Sequence, residues 1–430
     1  MSQPLAFVDA HVVDPSQNLD DQRTVLVENG KIKAIEVHVA PSLLEADYEI
    51  IDCTDKTLIP GIIDCQVRTG EPGNEHEETL ASASQAAVAG GVTTMITQPD
   101  TNPVIDDMAL VDFISRNASA NALNKVHVMG ALTKGLKGEE MSELRLMHEA
   151  GAVAFTNGHE PISNARLMRR ALSYTRDFDG LIVHHTEDRD LTRGGVMNEG
   201  EMASRLGLNG IPKMAEIIML ERDIRLVELT GGRYHAACIS CAESVDLIRN
   251  AKARGLNVSC GVSINNVTLN ENDIGSYRTF FKLSPPLRLE EDRMAIVEGI
   301  KDGTIDVVHS DHTPQDVDMK RHPFADAADG AIGLETLLAA LLRRVHDGAL
   351  NLSDAVRVLS NKPAQLLGLE TGSLKKGTAA DITLIDINEP WVLTKEILKS
   401  RSKNTAFEDA QFTGRVCKTY VDGFEVYSHC

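Results

Sequence analysis

Residues able to do acid–base or metal chemistry recur in this chain just past short apolar runs. In order they are Gln66 and Arg68, Gln98 and Asp100, Thr156 and Asn157, His184 and His185, Cys238, then Asp311 and His312. An imidazole, a thiolate and a carboxylate can share one zinc, so His185, Cys238 and Asp311 form a conceivable mononuclear set. The opposing reading makes His185 and Asp311 hydrogen-bonding groups at the rim of a fold. Arg68 cannot ligate a metal and brings a permanent cation instead. One expectation is therefore that Arg68 pairs with Asp311; the other is that its guanidinium swings out to solvent.

The neighbouring signals are weaker. Cys238 and Cys241 form a Cys-x-x-Cys spacing without a second pair nearby, which reads as two buried, inert thiols. His184 is adjacent to His185 on a strand and so points to the opposite face, packed or toward solvent. Glu187 and Asp188 read as charges at a helix start rather than as an acid–base pair. His312 follows Asp311 into a loop and is expected within reach of a pocket ligand.

Something must position these groups, and the hydrophobic rhythm says what. Apolar runs at Gly61–Val67, Val92–Gln98, Val126–Leu132, Ala152–Thr156, Leu181–Thr186, His235–Ser240, Asn257–Val262 and Ile305–Ser310 predict strands buried on both faces. Between them, helical patterns lie at His76–Ala89, Glu139–Ala150, Asn164–Arg176, Met214–Thr230, Ala242–Arg254 and Glu290–Lys301. This alternation predicts an α/β fold, a parallel (β/α)8 TIM-like barrel over residues 60–368, with a doubly wound open sheet as the alternative. Catalytic groups of such a barrel gather at the C-terminal ends of its strands, where the residues above fall.

Outside residues 60–368 the pattern is short strands and turns. Ala6–Val13 and Thr24–Glu28 flank a polar stretch, and Asn29-Gly30 before Lys31–His38 is a hairpin signal, as is Asp422-Gly423. Residues 1–59 and 369–430 are expected to join into one small composite β-sandwich domain.

The 430 residues are 42% hydrophobic and 25% charged, within the ordinary globular range. With 43 Lys+Arg against 63 Asp+Glu the net charge is -20, which makes nucleic acid and anionic membranes poor partners. No apolar run approaches the ~20 residues of a membrane span, and Met1–Pro4 opens no secretory signal. The seven cysteines (Cys53, Cys65, Cys238, Cys241, Cys260, Cys417 and Cys430) are scattered, not paired in a framework, as suits a reducing cytoplasm.

The segments PGIIDCQVRTGEPG at 60–73, TQPDTNPVIDD, VHHTEDRDL, FKLSPPLR and SDHTPQD together resemble the dihydroorotase family of the amidohydrolase superfamily, over essentially the whole chain. The resemblance implies a zinc-dependent hydrolase of cyclic amides in pyrimidine biosynthesis, in which metal coordination lowers the pKa of water from about 15.7 to about 7. It also implies where this chain departs. The His-x-His pair falls on Gln66 and Arg68, the fourth-strand carboxylate on Asn157 and the sixth-strand His on Cys238; His185 and Asp311 are retained. On the substrate side the family's Arg falls on Gly70, and its Asn residues on Asp100 and Ser284. Its His at the end of Asp-His-x-Pro-His falls on Gln315. By this resemblance the chain is similar to non-catalytic homologues that need no cofactor, form homo-oligomers and assemble with aspartate carbamoyltransferase. Two alternatives stand beside that reading. One is an active hydrolase with zinc in an altered mononuclear site; the other is a metal-free sensor of a pyrimidine intermediate.

Overall fold

Strand β1 (Ile62–Val67) carries six buried residues in succession, as a strand covered on both faces must. In the computed structural model, which describes residues 3–37, 39 and 47–429, seven more parallel strands follow it. These are β2 (Val92–Thr97), β3 (Lys125–Ala131), β4 (Ala154–Thr156), β5 (Leu181–His184), β6 (Arg233–Ala236), β7 (Val258–Ser263) and β8 (Val307–His309). Each is hydrogen-bonded to its sequence neighbour. Just past β8 the Arg68 amide donates to the His312 carbonyl at 2.9 Å, and Val67 bridges His312. That contact closes the ring and excludes the open sheet.

The helices pack their apolar faces on the outside of this ring. Met214–Thr230 and Glu290–Lys301 coincide with the sequence reading. The first helix begins at Leu80 rather than at His76, because Thr79 is an N-cap whose hydroxyl accepts from the Ser82 amide at 3.1 Å. The second predicted helix shrinks to Leu144–Glu149. Strand β6 leaves the ladder at Ala236, so Cys238 lies beyond it, although the Ile239 amide still donates to the Gly261 carbonyl at 3.0 Å.

Strands from both ends of the chain build one eight-stranded sheet beside the barrel. Strand Leu5–Asp14 pairs with Leu19–Glu28 on one side and with Glu49–Asp52 and Thr57–Pro60 on the other. Thr57–Pro60 then pairs antiparallel with Ile382–Val392, which continues to Gln411–Val421 and Phe424–Ser428. The stretch after Leu19, read from sequence as a polar connection, is itself strand. Both hairpins form: Asn29 and Gly30 have φ of 52° and 74°, and Asp422 and Gly423 have 48° and 75°. The sheet folds over on itself. Phe7 and Tyr420, three strands apart in hydrogen-bonding order, meet edge to face at 5.0 Å in its interior.

Met1, Ser2, His38 and Cys430, which the sequence reading touched, lie outside the described residues. The other six cysteines are buried. Among the described residues no helix is long and apolar enough to cross a membrane.

Candidate functional site at the barrel mouth

Gln66 and Arg68 are two apart on an extended segment and therefore share the inward face of β1. The Gln66 side-chain nitrogen donates to Asp311 Oδ1 at 3.0 Å and lies 3.3 Å from His159 Nε2. His159, on the loop after β4, is 3.6 Å from the same Asp311 oxygen. Its ring stacks on His185 at 5.1 Å with a 14° tilt. The centre of the mouth is thus a compact set of Gln66, His159, His185 and Asp311.

Electrostatics follow from this packing. Burial pushes the Asp311 carboxyl up, but the His159 hydrogen bond and charge, with His309 and Arg68 behind them, outweigh it and hold the group below its usual range. Burial pushes the His159 imidazole down, and the Arg68 charge adds to the effect. His185 Nε2 faces Glu187 Oε2 at 3.3 Å, while its buried Nδ1 has no hydrogen-bond partner among the described residues. Burial opposes ionisation of Glu187, yet its hydrogen bond and charge interaction with His185 win and lower its pKa.

The expected pair of Arg68 with Asp311 does not form. Arg68 is ion-paired with Asp100, leaving Asp311 to Gln66 and His159, and acts on Asp311 only at longer range. Both members are partly open to water, with side-chain exposures of 27% and 17%. Such a pair contributes little, so Arg68→Met should lower stability by no more than about 1 kcal/mol in a urea titration. A loss of several kcal/mol would return Arg68 to the central charge balance.

The remaining residues read from sequence scatter. Asn157 is buried but faces away from the axis: its Oδ1 accepts from the Thr133 amide at 3.0 Å, and its Nδ2 donates to the Leu136 carbonyl at 3.3 Å. His312 is not in reach of a mouth ligand. Its Nδ1 accepts from the Gly333 amide at 3.2 Å and its Nε2 faces buried Glu78 at 3.4 Å, inside the wall. His184 is packed, as expected, between the Ile162 amide at 2.8 Å and Asp223 at 2.7 Å. Asp188 caps the short helix Arg189–Thr192, but Glu187 turns inward to His185. Ser284 is half-buried in the segment after β7, and the Gln315 amide is bound to Asn404 Oδ1 at 3.2 Å. Gly70 has φ +65°, and a Cβ there would sit 2.6 Å from the Asn74 carbonyl. The backbone at that position accepts no side chain at all.

The donor set does not fit the zinc that the resemblance implies. A metal needs lone pairs converging on one point, whereas Gln66 presents an N–H to Asp311 and Arg68 presents a guanidinium. Burial, with the Asp311 charge, pushes the Cys238 thiol well up, so it stays protonated rather than becoming a thiolate ligand. Among the described residues, His76, Glu77 and Asp316 are the only such group whose donor atoms approach closely, and they sit in peripheral loops with His76 exposed. No step of metal-centred hydrolysis follows from this geometry.

Sequence reasoning missed His159. Its signal was present, a His in a loop at the C-terminal end of a barrel strand, three residues past Thr156. Also unread was the role of Arg288 at the end of FKLSPPLR. It is buried, donating to Ser240 Oγ at 3.0 Å, Asn198 Oδ1 at 3.0 Å and the Ile211 carbonyl at 2.8 Å. Glu216 completes the knot by accepting from the Ser240 amide at 2.9 Å. This network pins the segment that carries Cys238.

Comparison with known proteins agrees with this framework. A sequence model described as Dihydro-orotase-like matches residues 55–244. The dihydroorotase of Syntrophotalea carbinolica is 42% identical over 423 residues, covering 98% of this chain and 99% of its own. That of Ehrlichia canis is 37% identical over 431 residues, covering 99% and 95%. Among solved structures, L-hydantoinase (dihydropyrimidinase) from Arthrobacter aurescens superposes with a TM-score of 0.89 at 25% identity, covering 100% of this chain and 96% of that one. Dihydropyrimidinase from Brevibacillus agri shares the fold with a TM-score of 0.86 at 22% identity, covering 99% and 95%. A closed barrel, a sheet built from both termini and relatives aligned almost end to end lead to one assignment: the chain belongs to the dihydroorotase-like family.

Proposed function

We propose that this chain is a family member without metal-centred hydrolysis of dihydroorotate, acting as a structural partner of aspartate carbamoyltransferase in pyrimidine biosynthesis. The observation that carries the first half is the Gln66 amide wedged between Asp311 and His159, with Arg68 tied to Asp100 beside it. A hydrolase of this kind needs hydroxide at neutral pH, which zinc would supply through a water of pKa about 7. The four central side chains offer no equivalent. His159 is a weakened base, and the one carboxylate in contact with it is already bound.

The second half rests on family membership together with a barrel and sheet preserved around an altered donor set. A scaffold must keep its surface and its stability, and neither requires a reaction centre. We read the chain as a homo-oligomer in that assembly.

Three measurements test the proposal. Metal analysis of the purified protein should give less than about a tenth of an equivalent of zinc, and dihydroorotate should not turn over with or without added zinc. Near one equivalent, lost on replacing His185 or Cys238, would instead establish a remodelled mononuclear site. Gel filtration of the chain with aspartate carbamoyltransferase at micromolar concentration should give one co-eluting species; independent migration would remove the partnership.

A further inference from the structure

We infer that a cavity off the barrel axis is a binding site for a small polyanion. The cavity encloses about 300 Å³, the lower end of the range for small-molecule sites. Its walls come from three separate stretches: Arg278–Phe280 after β7, Gln315–Arg321 after β8, and Lys395–Glu408 on the crossing from the C-terminal sheet. Five cations line it, Arg278, Lys320, Arg321, Lys395 and Lys403, against the single carboxylate of Glu408. In a chain of net charge -20 this local reversal of sign is the chemistry of an anion receptor.

The cations fall into two tiers. Lys320 and Lys403 are fixed: Lys320 Nζ donates to the Thr279 carbonyl at 3.0 Å and the Ala328 carbonyl at 2.7 Å, and Lys403 Nζ to the Leu398 carbonyl at 2.8 Å. Their ammonium protons are held by backbone carbonyls, and the Asp329 carboxylate acts on Lys320 as well. Burial, with the Lys282 charge, outweighs Asp329 and pushes the Lys320 amine down to about 8, and an anion in the cavity would raise it again. Arg278, Arg321 and Lys395 are exposed around the opening. Arg278 is bound to Glu408 at 2.6 Å and Arg321 lies 3.4 Å from Asp318, so the phosphate or carboxylate oxygens of a polyanion would compete with those two carboxylates for the guanidinium forks at the rim. Phe280 and Val317 add apolar wall for the body of the ligand.

The site is separate from the mouth. Of the positions the family uses for substrate it includes Gln315 alone, and Gln66, Arg68, His159, His185 and Asp311 are all outside it. It is nonetheless wired to the same loop. Asn404 lines the cavity while its side chain accepts from the Gln315 amide at 3.2 Å and donates to the Thr313 carbonyl at 3.1 Å, two residues past Asp311. An occupant would therefore rigidify the segment carrying Asp311.

The test is calorimetric titration of the full chain at low ionic strength with inorganic pyrophosphate, and separately with citrate. One saturable site is expected for at least one of them; preference for pyrophosphate assigns a phosphorylated ligand, and preference for citrate a polycarboxylate. The double variant Arg321→Glu/Lys395→Glu, two exposed positions whose unliganded melting should match the parent, should weaken binding about tenfold or more. The control Arg169→Glu/Arg170→Glu, on the exposed face of helix Ala165–Thr175, should leave it unchanged. Absence of a saturable site for either probe, or binding that survives the first variant or is lost in the control, would overturn the inference.

Discussion

Arg288→Met will destabilise the protein by about 3–5 kcal/mol, read as a fall in the denaturation midpoint at unchanged slope. The size follows from what is left behind. Glu216 and Arg288 are both nearly inaccessible, with side-chain exposures of 4% and 3%. Removing the guanidinium strips Ser240 Oγ, Asn198 Oδ1 and the Ile211 carbonyl of a donor in one step and leaves the Glu216 carboxylate without its cation 3.9 Å away. Buried acceptors without donors cost more than the bonds contributed. Arg288→Lys should recover little, because an ammonium cannot reach three acceptors spread across a planar fork. Combining Arg288→Met with Glu216→Leu should recover part of the loss, since no charge then remains buried alone. A single-variant loss under about 1 kcal/mol would show that water reaches the knot.

The second large effect is on acid stability. The His235 imidazole is buried on β6, bound to Ser259 Oγ at 2.8 Å, and pushed down to about 3, chiefly by burial, with His309 and Lys252 adding repulsion. In the unfolded chain it titrates near 6.5. Between those values the unfolded state binds the extra proton, so the neutral folded form is favoured fully above pH 6.5. That advantage is lost progressively as pH falls toward 3. At pH 4 the loss amounts to roughly 3 kcal/mol. His235→Gln, which keeps a hydrogen-bonding side chain without the titration, should show a correspondingly flatter decline in unfolding free energy between pH 7 and pH 4. Parallel curves for the two proteins would mean that His235 is hydrated in the folded state.

The fold was legible because burial on both faces leaves a nearly continuous apolar run: Leu181-Ile182-Val183 opens β5, whose four residues are all buried, and β1 is buried throughout even though Asp64 and Gln66 interrupt it. The ends of elements were less so. Thr79 starts its helix by a capping bond, which leaves the polar His76-Glu77-Glu78 outside it although they had read as its first turn. The site was half legible. The residue types at positions 66 and 68 announced an amide and a cation at the mouth, and there Gln66 donates to Asp311 while Arg68 pairs with Asp100. Partnerships were not legible, because a strand's C-terminal end says which residues arrive at the mouth but not how far each side chain reaches. Arg68 is long enough to pass Asp311 and find Asp100, while the shorter Gln66 stops at the carboxylate. His159 escaped notice for a related reason. The carboxylate position implied by the family resemblance fell on Asn157, whose side chain turns back to Thr133 and leaves the space to a residue two places on.

The antiparallel seam between Thr57–Pro60 and Ile382–Val392 imposes an order on how this protein is made. The first partner leaves the ribosome more than three hundred residues before the second. At translation speeds of roughly 5–20 residues per second, that edge strand waits on the order of 15–65 s with its backbone groups unsatisfied. The barrel is built during that interval, between two halves of a sheet that cannot yet meet. A nascent chain cut short anywhere before Ile382 is therefore left with a sticky margin and no means of covering it. Strands Ile382–Val392 and Gln411–Val421 act as the clasp that covers the margin left open beside a finished barrel.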